Sequence, residues 1–469
     1  MNPIKWLRHR LGTIIQTRRD VPYDVLSREE VDAAMQNPYI RGKLVQFSLD
    51  EYSRNPYYKA VITKLANHVV GPTPTIIGLA ENEEENNIIE ESHRAWCVAN
   101  GIGNSYRNLR TMAALTGIGL MLKHKKENFG IFPIQTAYKV FGADSLRTPY
   151  NATPEDRIVA GIEYDKDWNI VKFHFIKDDL KNDPYLYQYE TSEYSVKDVI
   201  YWAQGYETGR LNPVPECAQA FTIYPYIRRL LEAAVQGEEF RTSFPMAVEL
   251  DATIYGPSAE RDNAPKGILK YKPNLIPTLP VGSKLVGVPG SGSSSADKDK
   301  MLRTMASAAA LCVEMPANLA IADSSNSNMA SAQVDIQPWK NKCEIDRFDM
   351  EPCFRRSFID FWTAATLVSD LVPRRARARY PNFYPHMYLY NGLFQHPDPL
   401  KNATARQVDL ISGTKTLNAI YAEMGLNPKR QLLAEAKLLG ITYDELIKII
   451  LTSRSKDTLD VLGVLNATE

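Results

Sequence analysis

The chain has 469 residues, 44% of them hydrophobic and 23% charged, the balance of an ordinary folded protein, which excludes a disordered one. Lysines plus arginines number 55, as do aspartates plus glutamates, so the average charge points to no polyanionic partner, although local patches decide contact. Such a length holds roughly two to four domains, or one elongated body of several parts.

The opening stretch, "MNPIKWLRHRLGTIIQTRRD", is basic and lacks the apolar core of a signal peptide. Trp6, Leu7, Leu11, Ile14 and Ile15 make it read as a short amphipathic helix docked on the protein itself or a neighbour, the alternative being a lipid surface. No window is long and apolar enough to span a bilayer, so no membrane partner is expected. "SREEVDAAM" then opens a helical pattern with a capping box, Ser27 followed by Glu30. That pattern runs to residue 70, where Gly71 and Pro72 stop it. "EENNIIEESHRAWCVANG" reads as a second helix ending at Gly101, and a third is expected over 105–117 with Leu109, Met112, Ala113 and Thr116 on one face. Beyond it, "GIFPIQTAYKVFGADSL", "RIVAGIEYDKDWNIVKFHFI" and "KDVIYWAQ" alternate apolar with polar residues. Residues 129–204 are therefore expected to form a small β-rich layer, with "DKDWN" as a hairpin tip.

Pro225 suits the first turn of a helix over 224–241, striped by Ile227, Leu230, Leu231, Ala234 and Val235. Short β-like pieces broken by prolines fill 243–289, and "PGSGSSSAD" reads as a hinge. A helix over 297–314 has a slim waist of Ala306, Ala308, Ala309 and Ala310. The small, polar "IADSSNSNMASAQ", Ile321–Gln333, follows between two apolar helical stretches. The next helical pattern, 329–369, contains Pro338 and Pro352, which are expected to interrupt and kink it. "PRRARARYPNFYP" is expected to break that helix, "HMYLYNGLF" to be a strand, and the rest to be short helices punctuated by Gly413, Gly425, Pro428 and Gly440.

Catalytic signatures are missing. There is no GxxxxGK[ST], GxGxxG, HExxH or GxSxG, and the histidines stand singly, so no catalytic residue, metal or cofactor is expected. Cys97, Cys217, Cys312, Cys343 and Cys353 form no CxxC pair, which implies buried reduced thiols and folding in a reducing cytoplasm. His68, near a helix end in "LANHVVG", reads as a partner for the last carbonyls. "ENEEEN", Glu81–Asn86, reads as carboxylates favoured at a helix start by the macrodipole. "YDKDWN" lacks the spacing and final glutamate of a calcium loop and reads as a plain turn.

Several segments, in order, resemble the lambda-type family of tailed-phage portal proteins. They are "RNPYYKAVITKLANHVVGPTPTI", "FGADSLRTP" followed by "VAGIEYDKDWNIVKFHFI", "GRLNPVPECAQAF", "SSNSNMASAQVD" and "HPDPLKNATARQVDLISGTKTLNAIYAEMGLNP". The resemblance covers about residues 35–440. It departs from the family at Asn169, where a glycine is usual, at Met329, where an aromatic is common, and at Gln333, where an arginine is.

The resemblance implies an α+β portal-like fold assembled as a ring, typically a dodecamer. Its parts would be a basic arm (1–26), a helical and β wing (27–223), a first stem helix (224–242) and a β-rich clip (243–290). A hinge and second stem helix (291–320), a tunnel loop (321–329), a long kinked helix with wing return (330–400) and a short helical crown (401–469) would follow. It implies a virion component at the capsid vertex, assembled in the host cytoplasm. Its partners would be double-stranded DNA, terminase, the head–tail connector and the major capsid protein. The tunnel-loop residues Asp323, Ser324, Ser325, Asn326, Ser327 and Asn328 would touch DNA weakly and without sequence preference, as short hydroxyls and amides can. Lys298, Lys300 and Arg303 are candidates to line the channel, interleaved with Asp297 and Asp299, which could instead make ion pairs between subunits. Lys266, Lys270 and Lys272 are candidates to meet terminase or connector from the clip. The arginines of 374–379 have three candidate partners: packaged DNA, a capsid neighbour or the ring's own acidic surface. The alternative reading is a nucleic-acid-processing enzyme, a nuclease or terminase-like factor, with an acidic metal site assembled only in space.

Overall fold

A computed structural model describes residues 38–127, 130–177, 190–203, 214–243, 246–250, 283–287, 295–323, 328–368, 371–390, 399–450 and 452. In chain order the described elements begin with α1 (Pro38–Arg54), α2 (Pro56–Val70), β1 (Thr75–Gly78), α3 (Glu83–Asn100) and α4 (Ile102–Thr116). Next come β2 (Ile118–Lys125), β3 (Thr136–Gly142), β4 (Ile158–Val159), β5 (Ile162–Tyr164), β6 (Ile170–Ile176), β7 (Thr191–Ser195) and β8 (Val199–Ala203). Then α5 (Ile223–Ser243), β9 (Met246–Leu250), β10 (Ser283–Gly287) and α6 (Ser295–Ala310) follow. The last are α7 (Ala317–Ile321), α8 (Met329–Leu367), α9 (Arg374–Arg379), β11 (His386–Leu389), α10 (Pro399–Ile411), α11 (Leu417–Glu423) and α12 (Pro428–Leu439). The chain divides into two compact units, Met1–Pro22 with Ala220–Ala310, and Tyr23–Gln219 with Leu311–Glu469.

In the larger unit the first helical pattern is two helices. Asn55 divides them: its side chain accepts from the backbone N–H groups of Tyr57 and Tyr58, and Pro56 stands at the first helical position of α2. The Ser27 capping box lies outside the described residues. Gly71 closes α2 at a φ of 69°. Asn82 caps α3, and Glu83, Glu84 and Glu85 occupy its first turn, where the helix dipole favours carboxylates.

Two antiparallel sheets follow, β3-β2-β8 and β4-β5-β6-β7. They share one apolar core that includes Ile118, Leu120, Ile162, Phe173, Phe175 and Val199. The β4–β5 hairpin turns on two residues, both with positive φ, Ala160 at 49° and Gly161 at 83°, the requirement of a type I′ turn. A Cβ on Gly161 would stand 2.6 Å from the Arg147 backbone nitrogen, so the position demands glycine for space as well as for φ. At the β5–β6 tip, Asp165 Oδ1 accepts from the N–H groups of Asp167 and Asn169, each at 2.8 Å. The positive φ, 63°, falls on Trp168.

α8 runs 39 residues through Pro338 and Pro352, so neither proline interrupts it. Both prolines are exposed, as are Val334 and Phe348, four residues earlier, whose carbonyls lose their intrahelical donor. Water can hydrate carbonyls on that side, which keeps the cost of each proline low. The opposite side of α8 supplies Trp339, Phe354, Phe358, Phe361 and Trp362, all fully buried. The "RRARAR" stretch forms the short helix α9 instead of merely breaking α8. β11 pairs antiparallel with β1, Thr75 opposite Leu389. At the C-terminal end, α10, α11 and α12 are separated by turns at Gly413 and Gly425 with φ of 74° and 71°.

The smaller unit contains α5, α6 and the antiparallel pair β9–β10. α5 and α6 pack on one another, and Ala306, Ala309 and Ala310 of α6 are buried. α6 stops at Ala310, earlier than its sequence pattern, because the chain tightens into a 3₁₀ turn, Leu311–Val313, and Glu314 has a φ of 58°.

Candidate functional site

The sequence singles out the loop between α7 and α8. Ser324, Ser325, Asn326 and Ser327 lie outside the described residues, while Asp323 and Asn328 border them. α7 is short and ends at Ala322 in a left-handed conformation, with the Asp323 N–H donating to the Asn318 carbonyl at 3.1 Å. Asn328 begins α8: its Oδ1 accepts the Ser331 N–H at 2.8 Å, and the Ser331 hydroxyl returns to Asn328. Asn328 is therefore a helix cap, a role that engages the amide expected to face DNA.

The helices on both sides of the loop are fastened to α2. On the α7 side, the Lys64 ammonium donates to the carbonyls of Leu319 at 2.5 Å and Ala320 at 3.3 Å. A cation there complements the partial negative charge of a helix C-terminus. On the α8 side, Trp339 Nε1 donates to His68 Nδ1 at 3.2 Å, and Arg347 donates to the carbonyls of Val69 at 2.7 Å and His68 at 3.0 Å. Burial, then the charges of Lys64 and Arg347, hold the His68 imidazole below its usual range. A neutral ring accepts the Trp339 N–H at Nδ1. Arg107 adds donation to the Gly71 carbonyl at 2.9 Å, so two arginines and one lysine cap backbone carbonyls around α2.

A buried knot of charge holds α8 from its other side. Arg110 of α4 is inaccessible to solvent and meets Glu216 at 2.8 Å and Asp346 at 2.7 Å, while Lys342 meets Asp346 at 2.7 Å. The guanidinium lies 5.0 Å from the Trp202 ring centre on β8. Further along α8, Asp360 receives Lys123 Nζ at 2.9 Å and the Tyr138 hydroxyl at 2.8 Å, tying the helix to the β2–β3 hairpin.

The other singled-out residues are scattered. In α6, Arg303 Nε pairs with Asp299 at 2.6 Å, Lys298 is half-buried beside Gly237 of α5, and Lys300 is exposed. Lys266, Lys270 and Lys272 lie outside the described residues. Arg379 of α9 pairs with Glu81 at 3.0 Å, and Arg377 donates to the Thr366 carbonyl at 3.2 Å. Sequence reasoning missed Lys64, Arg347 and the Arg110 knot, whose partners stand hundreds of positions away; only the proximity of His68 to a helix end hinted at this region. Burial pushes the Cys343 and Cys353 thiols up to about 12, which keeps them protonated and poorly nucleophilic near pH 7.

The sequence pattern of the family described as "Phage portal protein, lambda family" matches residues 26–345. This chain belongs to that family. The matched span of this portal-family chain takes in α2, Arg110, Glu216, the α7–α8 loop and the start of α8 through Ile345, and stops just short of Asp346 and Arg347. No curated protein matches it in sequence. In structure, the portal chain is similar to a chain from "Neck of empty GTA particle computed with C6 symmetry", with a TM-score of 0.45 and 12% identity over 82% of this chain and 93% of that one. It is also similar to chains from "Virion of native gene transfer agent (GTA) particle" and "Neck of native GTA particle computed with C12 symmetry". Both give a TM-score of 0.40 and 11% identity, with 73% and 82% of this chain covered, and 94% and 93% of those chains.

Proposed function

We propose that copies of this chain close into a ring, a dodecamer by family analogy, at one vertex of a tailed-phage head, and that double-stranded DNA enters and leaves through its bore. Family membership across residues 26–345 carries this reading. In it the ring is a conduit: terminase supplies the work of packaging, the connector replaces terminase afterwards, and the major capsid protein surrounds the vertex. Assembly takes place in the host cytoplasm before the ring becomes part of the virion.

The loop between α7 and α8 is the part of the ring that meets DNA. Short hydroxyl and amide groups suit that task, because a strand that must slide cannot be held by many strong phosphate contacts. Anchoring α7 and α8 on α2 supports the assignment, since only a loop carried by fixed helices transmits the push of passing DNA to the wing. In α6 the internal Asp299–Arg303 pair takes up one of the candidate cations, while Lys300 stays exposed, which favours weak electrostatic guidance over tight binding. Negative-stain images of the purified chain test the reading. Rings with a central hole are expected; a uniform population of small compact particles would contradict it.

A further inference from the structure

The first half of α8 has an exposed face with a marked chemistry. Val334, Pro338, Asn341, Ile345, Phe348 and Pro352 recur every three or four residues and fall within about 40° of one line along the helix. Val334, Ile345 and Phe348 remain 71%, 52% and 75% exposed. Asp335, Glu344 and Asp349 flank this apolar stripe, all exposed, and no lysine or arginine is among the exposed positions from Val334 to Pro352. The stripe is therefore apolar with an acidic rim.

The far end of the same helix has the opposite charge. Leu367 is 85% exposed, and α9, held there by Arg377 on the Thr366 carbonyl, presents Arg374 and Arg375 to solvent. Neither arginine has an ion pair among the described residues. Glu344 and Leu367 are separated by about 35 Å along the helix axis, at 1.5 Å per residue. One chain therefore cannot bring its acidic stripe onto its own arginines.

We propose that the acidic, apolar stripe of α8 in one copy receives the Leu367, Arg374 and Arg375 end of a second copy. The contact joins two different patches, so it is head-to-tail, the type that repeats around a ring until it closes. Apolar residues at its centre supply contact area, and the charged rim fixes register and rejects the reversed orientation. This inference rests on the ring reading above and names the seam of that ring. It also gives the "RRARAR" segment a use that the Arg379–Glu81 pair and the Arg377 contact leave open for Arg374 and Arg375.

A charge swap tests the seam on the full-length protein, with mass measured in solution and circular dichroism as the check on folding. The variants are Glu344→Arg with Asp349→Arg, Arg374→Glu with Arg375→Glu, and all four together. Each reversed pair is expected to raise the concentration at which half the protein is in rings by about tenfold or more, because like charges then face each other. The fourfold variant is expected to recover rings. Both reversed pairs assembling as readily as the unaltered chain would overturn the seam alone, as would a folded fourfold variant that stays dissociated. Loss of DNA binding from the arginine pair with rings unchanged would give those arginines to DNA and overturn it too. An unaltered chain that never assembles would overturn the ring reading along with the seam.

Discussion

Replacing Arg110 with alanine is expected to destabilise the larger unit by about 3–5 kcal/mol, the usual cost of leaving buried charges without their partner. Arg110 has no solvent exposure, and Glu216 and Asp346 are each 2% exposed. In the alanine variant Asp346 would keep only Lys342, while Glu216 would lose its ion-pair partner and the guanidinium face against Trp202 would leave a void. Arg110→Lys should recover only part of the loss, because Nη2 alone meets both carboxylates, as an ammonium could, but an ammonium cannot lie flat over the Trp202 indole as the guanidinium does. The shift in the thermal or urea unfolding midpoint of the unit measures the effect, and an unchanged midpoint would show that the knot is structurally idle. The same cluster sets an acid limit. Burial alone would raise the Asp346 carboxyl, but Arg110 and Lys342 outweigh it and hold the group below its ordinary value. Its contribution to stability is thus complete above the unfolded carboxyl pKa, about 3.9, and is lost as pH falls through the lower folded value.

Removing Ser324 to Ser327 is expected to leave assembly intact and to abolish most DNA packaging or retention. Asn328 is kept in this deletion because it caps α8, and losing a cap of this kind costs about 0.5–2 kcal/mol on its own account. With the cap, Lys64, His68 and Arg347 all in place, the helices on both sides of the loop remain anchored, and any defect belongs to the missing hydroxyl and amide groups. Counting filled heads, with ring mass measured in parallel, separates the two effects. Filled heads at the unaltered frequency would remove the loop from the path of DNA.

Local chemistry made much of the helical framework legible. Gly71 and Gly101 end helices where their φ of 69° requires them, and the glutamates after Asn82 mark a helix start. β2 escaped detection because "IGLML" is buried throughout and lies between β3 and β8, so it lacks the alternation that betrays a half-exposed strand. β1 escaped because its four residues pair with β11, more than three hundred positions away. The prolines in α8 were misread as interruptions because proline at an exposed position differs from proline in a core only once the helix has a solvent side. Of the site, α8 could be read from its helical pattern, whereas α7, five residues long, is too short to show one. The clamp could not be read, since Lys64 and Arg347 make side-chain contacts to distant backbone that no spacing encodes.

A DNA conduit requires the α7–α8 loop to lie at the bore of the assembled particle. An electron cryomicroscopy map of the purified full-length assembly decides that most directly. The expected map shows a closed ring whose bore admits duplex DNA, with residues 324–327 of every copy at its inner wall. A map that places those residues on the outer surface, or a chain that remains a compact monomer in solution and in its particle, would contradict it.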